Sequence, residues 1–297
     1  NCHFQFDLAA PYQLTSEKLA RYPVVIVPNG GPLDSESLAL LKTYAENGGK
    51  LIFEGNSSDR LIPAAGLLGI SDEISTSEYL AASYWQFEPV GDVLRGTEFT
   101  ETPLLAHRGQ TAYVKPLCGT QVLATLVPPF APLNAVGAPP ERASMLVSHT
   151  DLPLCTSRIV GSGTVVALTF GLGELMNEYK LAEHSYLCQN LVDFLLGDDR
   201  TFRMELLEGI ETVCYQKKNL LLVHLLNGIG KRPLMNNILC TDVSFTTKLP
   251  KDKSVGEVLL PQSGQIPVWS EENGYLRVTI PRLSFWETVV IRLNERS

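Results

Sequence analysis

YPVVIVPNGGPLDSESLALLKTYAENGGKLIFEGNSS, residues 22–58, has the pattern of a complete strand, helix and strand unit. Residues 24–27 are a β-branched run, typical of a strand buried on both faces. Asp34 is placed to cap the helix that follows, and Gly48 with Gly49 is placed to end it before a second strand. The pattern predicts two parallel strands joined by a helical crossover, which is the building block of a doubly wound sheet.

Polar residues follow both strands of this unit. Asn29 comes just after the first strand, and Glu54, Asn56 and Ser57 follow the second. Because ligands of doubly wound sheets sit at the carboxyl ends of the strands, these four residues are candidate ligand-binding residues.

Two further candidates follow other predicted strands. His149 comes at the end of a strand predicted at 143–148, and Glu174 follows a glycine turn and buried strand ending near residue 170. Glu174 could hold a cation or a sugar hydroxyl, although acidic residues also favour the first turn of a helix. A histidine and carboxylate pairing near the strand ends is a further option, but His184, on the apolar face of a helix predicted at 179–196, is better explained as a core histidine.

No catalytic residue is assigned. The bend after the second strand carries no cysteine nucleophile, and Ser57 does not stand in a GxSxG elbow, so a capping role for Ser57 is favoured. The six cysteines show no CxxC spacing, so we expect neither a metal site nor a cofactor.

The change in secondary-structure pattern along the sequence predicts two domains. Residues 1–198 carry the α/β signals, including a strand at 3–9 (HFQFDLA) and an antiparallel excursion at about 71–140. Residues 199–297 alternate with a period of two, which predicts an all-β sandwich or barrel of roughly seven strands. Of the three tryptophans, Trp286 is assigned to the core of this β domain, although tryptophans could also stack on sugar rings.

Composition excludes several function classes. The net charge of −8 and the absence of a basic run argue against nucleic acid and anionic membranes as partners. No apolar stretch reaches membrane-spanning length. The scattered cysteines are expected to be reduced, which favours a cytoplasmic protein.

A family resemblance is carried by YPVVIVPN, LDSESLALLKTYAENGGKLIFEG, LLGI, GSGTVVALTFGLG and NLVDFLLGD, and in the tail by LLVHLLNGIGKRP and SFWETVVIRL. These segments resemble the amidotransferase-like, trimerisation-type domain and the C-terminal β domain of family-42 β-galactosidases. The resemblance implies an α/β fold with a flavodoxin-like or class I amidotransferase-like parallel sheet and flanking helices, followed by a small all-β sandwich.

The same resemblance implies a function without catalysis in this chain. The two catalytic glutamates of that family lie on a (β/α)₈ barrel, which needs about 200 residues or more and has no counterpart here. The expected role is a non-catalytic accessory and oligomerisation region of a glycoside hydrolase-like protein, with a homo-oligomer, an upstream catalytic barrel and a carbohydrate ligand as partners. Two alternatives stay open: a small hydrolase or lyase acting on a carbohydrate-derived substrate through Glu54, Ser57 and His149, and a sugar-binding module that uses the aromatic residues of the β domain.

Overall fold

The computed structural model describes residues 3–77, 79–87, 104–128, 150–204, 209–230 and 238–296. The chain forms two compact units, Ala9–Gly197 and Asn1–Leu8 with Asp198–Ser297. Residues 3–8 group with the β unit, whereas the sequence analysis assigns them to the α/β domain. The strand predicted at 143–148 lies outside the described residues.

The first unit contains both helices and strands. Its described helices are α1 Ser16–Leu19, α2 Ser35–Glu46, α3 Ser58–Leu61, α4 Ala65–Leu68, α5 Leu172–Tyr179 and α6 Ala182–Leu196. Its described strands are β1 Val24–Val27, β2 Lys50–Glu54, β3 Ser75–Thr76, β4 Leu80–Phe87, β5 Leu104–Gly109, β6 Ala112–Tyr113, β7 Thr120–Val127, β8 Pro153–Val160 and β9 Gly163–Leu168.

Seven of these strands form one mixed sheet in the order β1-β2-β9-β8-β7-β4-β5. β1, β2 and β9 are parallel, and the other four strands are antiparallel to their neighbours. The parallel sheet predicted from sequence is therefore correct for three strands only. The segment at 71–140, predicted as an antiparallel excursion, contributes β4, β5 and β7 to the same sheet, where they pair antiparallel with their neighbours.

The strand, helix and strand unit at 22–58 is confirmed. The side chain of Asp34 caps α2, with Oδ1 accepting from the Ser37 amide at 2.7 Å. Gly48 follows the helix with φ of 98°, a conformation that glycine adopts without strain. Leu41 and Ala45 of α2 are buried in the core that also contains Leu51 and Phe53 of β2, while α6 packs against β1 and β2.

The second unit is an all-β sandwich. Its described strands are β10 Phe202–Met204, β11 Ile210–Lys217, β12 Leu220–Asn227, β13 Cys240–Lys248, β14 Lys253–Leu259, β15 Val268–Glu272, β16 Tyr275–Leu283 and β17 Trp286–Glu295. They form two antiparallel sheets, β10-β13-β16-β15 and β11-β12-β17-β14. The alternate residues that face inward from both sheets share one hydrophobic core, as the period-two pattern predicts.

The predicted strand at 3–9 is not formed. This segment lies instead along the edge of β11, where the Gln5 side chain accepts from the Cys214 amide at 2.8 Å and donates to the Thr212 hydroxyl at 3.3 Å. An edge strand leaves backbone groups unpaired, and Gln5 satisfies some of them without forming a ladder.

The prediction that Trp286 lies in the β core is wrong, since its side chain is 47% exposed. The buried positions of β17 are Glu287, Val289, Ile291 and Leu293, so the alternation places Trp286 outside. Glu287 can occupy an inward position because its carboxylate accepts from the amides of Gln262 at 3.1 Å and Ser263 at 3.0 Å.

Candidate functional site

Three neighbouring parallel strands, β1, β2 and β9, have their carboxyl ends side by side in the mixed sheet. Asn29 follows β1, Glu54 is the last residue of β2, and α5 begins at Leu172 shortly after β9. The carboxyl ends of parallel strands share an edge, so the fold brings the residues that follow them together. This convergence creates a polar cluster around the Glu54 carboxylate.

The Glu54 carboxylate is buried and bound by backbone amides. Its side chain is 5% exposed, and Oε2 accepts from the Asn29 amide at 3.2 Å. It also accepts from the amides of Leu172 and Gly173 at the start of α5. First-turn amides have no partner within their own helix and favour a negative charge, so Glu54 joins the end of β1 to the start of α5.

The pKa of Glu54 is raised, because burial penalises the charged carboxylate. The charge of neighbouring Glu174 acts in the same direction, while the hydrogen bonds from the three backbone amides oppose the rise. The net result is a carboxyl group that holds its proton more tightly than an exposed glutamate.

Asn29 connects Glu54 to the solvent-exposed part of the cluster. Its Nδ2 donates to Glu174 Oε1 at 2.8 Å, and its Oδ1 accepts from the Asn56 amide at 3.2 Å. Asn29 and Asn56 are half-buried and Glu174 is exposed. The structure therefore brings together four of the six candidate residues and leaves a rim of amide and carboxylate groups open to solvent.

Arg60 supports this cluster and was missed by the sequence reasoning. Its side chain is buried, and Nη1 donates to the Gly31 carbonyl at 2.6 Å while Nη2 donates to the Pro28 carbonyl at 2.7 Å. Its Nε donates to the Glu54 carbonyl at 3.3 Å, and the guanidinium carbon lies 4.8 Å from the centre of the Phe53 ring. Arg60 thus fixes the loop after β1 against the end of β2.

Gly55 allows α3 to approach the end of β2. A Cβ atom at this position would lie 2.7 Å from Leu61 Cδ2 and 2.8 Å from Arg60 Cγ. A side chain at this position would therefore displace the side chains of Leu61 and Arg60.

The other residues singled out by the sequence have separate positions. Ser57 is the N-cap residue of α3, but its side chain makes no capping hydrogen bond. His149 lies outside the described residues. His184 is buried, and its Nε2 donates to the Ala106 carbonyl at 2.9 Å, as expected for a core histidine. Trp85 is buried beside it, with ring centres 5.9 Å apart.

The described part of the chain contains neither a cluster of metal-ligating side chains nor a membrane-spanning helix. Within it, no three His, Cys, Asp or Glu side chains come together in a way that could hold a metal ion. None of the helices described there is long and apolar enough to cross a membrane.

Comparison with known proteins gives structural matches only. No protein-family model and no curated protein matches the sequence. The fold is similar to part of α-L-fucosidase isoenzyme 2 from Paenibacillus thiaminolyticus, with a TM-score of 0.70, 16% identity, and coverage of 92% of this chain and 41% of the fucosidase chain.

Two β-galactosidases are also similar. The enzyme from Bacillus circulans sp. alkalophilus has a TM-score of 0.54 and 12% identity, with coverage of 92% of this chain and 33% of that chain. Gan42B, a GH42 β-galactosidase from G. stearothermophilus, has a TM-score of 0.52 and 15% identity, with coverage of 95% and 33%. These likenesses show the fold, and this chain spans between a third and about two fifths of the length of the solved chains it matches.

We predict that the stability of the protein depends on pH through Glu54. Because the pKa of Glu54 is raised on folding, its contribution to the free energy of unfolding is full below the ordinary value of 4.5 and is lost as the pH rises through the raised pKa. Chemical denaturation between about pH 4 and about pH 8 should show wild type losing stability relative to Glu54→Gln as the pH rises.

A second variant tests whether the pH dependence of stability comes from Glu54. Glu174→Gln removes the neighbouring charge that adds to the rise in the pKa of Glu54, so the same loss should occur at lower pH than in wild type. A stability difference between wild type and Glu54→Gln that does not change with pH would contradict the prediction.

Proposed function

We propose that this chain is a non-catalytic accessory and oligomerisation region of a glycoside hydrolase-like protein involved in carbohydrate metabolism. The observation that carries the proposal is the extent of the structural match: more than nine tenths of this chain corresponds to a minor part of an α-L-fucosidase and of two β-galactosidases. In this proposal the α/β unit is an amidotransferase-like domain of the flavodoxin-like kind, and a catalytic barrel upstream is its partner.

The chemistry of the strand-end cluster supports a non-catalytic role. Glycoside hydrolysis normally uses two carboxyl groups that face each other across the scissile bond. Glu54 is buried and its carboxylate is bound by three backbone amides, so only Glu174 of this pair is presented to solvent. A carboxylate held in this way stabilises the fold and is poorly placed to protonate a leaving group.

One observation favours a second candidate, a hydrolase or lyase acting on a carbohydrate-derived substrate at the strand ends. Glu54 has a raised pKa, and the charge of Glu174 contributes to it, with Asn29 hydrogen-bonded to both. Two carboxyl groups in different environments are a recurring arrangement for an acid and a charged partner. In this candidate Glu54 would be the general acid, and Glu174 would be the second carboxyl group of the site.

An activity panel separates the two candidates. Purified protein should turn over neither aryl glycosides nor glutamine, because the bend after β2 has no thiol nucleophile and Glu54 is bound by amides. The variants Glu54→Gln, Glu174→Gln and Ser57→Ala are assayed beside the wild type. Turnover by wild type that Glu54→Gln or Glu174→Gln abolishes would favour the hydrolase or lyase, while turnover unchanged in all three variants would indicate a contaminating enzyme.

Self-association is the second part of the proposal. Among the described strands β1 is an edge strand of the mixed sheet, and its Ile26 side chain is 45% exposed. An edge strand of this kind offers backbone groups and an apolar side chain to a second copy of the chain. Light scattering over about a hundredfold dilution should show an oligomer that dissociates.

The variant Ile26→Lys should weaken this association, since a charged residue on an edge strand opposes pairing. The control Ile266→Lys, at a position that is 86% exposed in the β unit, should leave it unchanged. A wild-type monomer throughout the dilution series would contradict this part of the proposal.

A further inference from the structure

A cavity of about 430 Å³ lies in the β unit, between the connection that joins β13 to β14 and the turn that joins β15 to β16. Its volume falls within the range of small-molecule sites, which is about 300–1,000 Å³. The amide of Leu249 donates to the carbonyl of Gly274 at 2.8 Å, which ties the two connections together beside the cavity. The cavity is therefore shaped by hydrogen-bonded backbone.

The lining of this cavity is positively charged, although the chain as a whole has a net charge of −8. Lys248, Lys251 and Arg296 line it, and no acidic residue is among the described residues that do so. A concave surface of one sign raises the local concentration of ions of the opposite sign. The cavity therefore favours an anionic ligand.

Neighbouring carboxylates compensate two of these three charges. Lys248 Nζ lies 3.7 Å from Asp199 Oδ1, and Arg296 Nη2 donates to Glu271 Oε1. The ammonium group of Lys251 has no ion pair or hydrogen bond with any of the described residues. Lys251 thus supplies an uncompensated positive charge, and Arg296 keeps further N–H donors beyond the one bound to Glu271.

Part of the cavity lining is apolar or aromatic. Leu249 is 6% exposed, and Pro250 and the ring of Tyr275 are half-buried. Ligand sites commonly combine such apolar groups with a few polar groups that set the orientation of the ligand. A sugar ring has this dual character, since its C–H face is apolar and its edge carries hydroxyl groups.

We propose that this cavity binds an acidic sugar. Its carboxylate is held by Lys251 and Arg296, and its ring lies on Leu249, Pro250 and Tyr275. Arginine and lysine both bind carboxylates through charge-assisted hydrogen bonds, which are the strong ones in proteins. The preference for an anion rests on the cavity alone, whereas the choice of a sugar as its carrier rests on the proposed function in carbohydrate metabolism.

Titration calorimetry of the full chain tests this site, with digalacturonate, a neutral galactose disaccharide and sodium sulfate as probes at constant ionic strength. Digalacturonate should bind saturably, and the neutral disaccharide at least about tenfold more weakly. Lys251→Gln and Arg296→Gln should each weaken digalacturonate binding by about tenfold. Lys217→Gln, at the exposed end of β11 and outside the cavity, should leave it unchanged.

Three results with the wild-type protein would overturn the proposal: no saturable binding of digalacturonate, equal affinity for the neutral disaccharide, or saturation by sulfate alone. Arg296→Gln also removes the hydrogen bond to Glu271, so Lys251→Gln is the decisive variant. Wild-type affinity for digalacturonate in Lys251→Gln would also overturn the proposal. These measurements use neither catalysis nor oligomer state, so their failure is distinguishable from a failure of the accessory role.

Discussion

The α/β unit depends on a buried carboxylate at the end of β2. Removing a charged group from water is costly, and the cost is tolerated only where hydrogen bonds replace the lost hydration. Glu54 obtains these bonds from the amides of Asn29, Leu172 and Gly173. The end of β2, the loop after β1 and the start of α5 are therefore held by one side chain.

Arg60 is a second buried side chain that holds the same strand ends. It binds three backbone carbonyls, in the loop after β1 and at the end of β2, so the buried anion and the buried cation bind complementary backbone groups of the same segments. These hydrogen bonds hold the loop after β1 against the end of β2. Glu54 and Arg60 bind backbone groups of the protein itself. Of the residues in the cluster, Asn29, Asn56 and Glu174 are at least partly exposed to solvent.

The sequence was informative where local signals act. Asp34 and Gly48 mark the ends of α2, and the rule that parallel strands share an edge was enough to place Asn29 near Glu54. Arg60 could not be found in the same way, since its partners are backbone carbonyls that any sequence would provide. The positions of β4, β5 and β7 depend on pairing between distant segments, which no local pattern specifies. The wrong placement of Trp286 has a similar cause, because the amides that accommodate a buried Glu287 belong to the connection between β14 and β15.

Amide hydrogen exchange tests most directly whether Glu54 acts as a structural carboxylate. First-turn amides of a helix have no acceptor within that helix, and Gly173 is exposed, so protection of its amide requires an acceptor such as Glu54. We expect slow exchange at Asn29 and Gly173 in wild type and in Glu174→Ala, and fast exchange at both amides in Glu54→Ala. Fast exchange of the Gly173 amide in wild type, or slow exchange that survives Glu54→Ala, would contradict the structural role of this carboxylate.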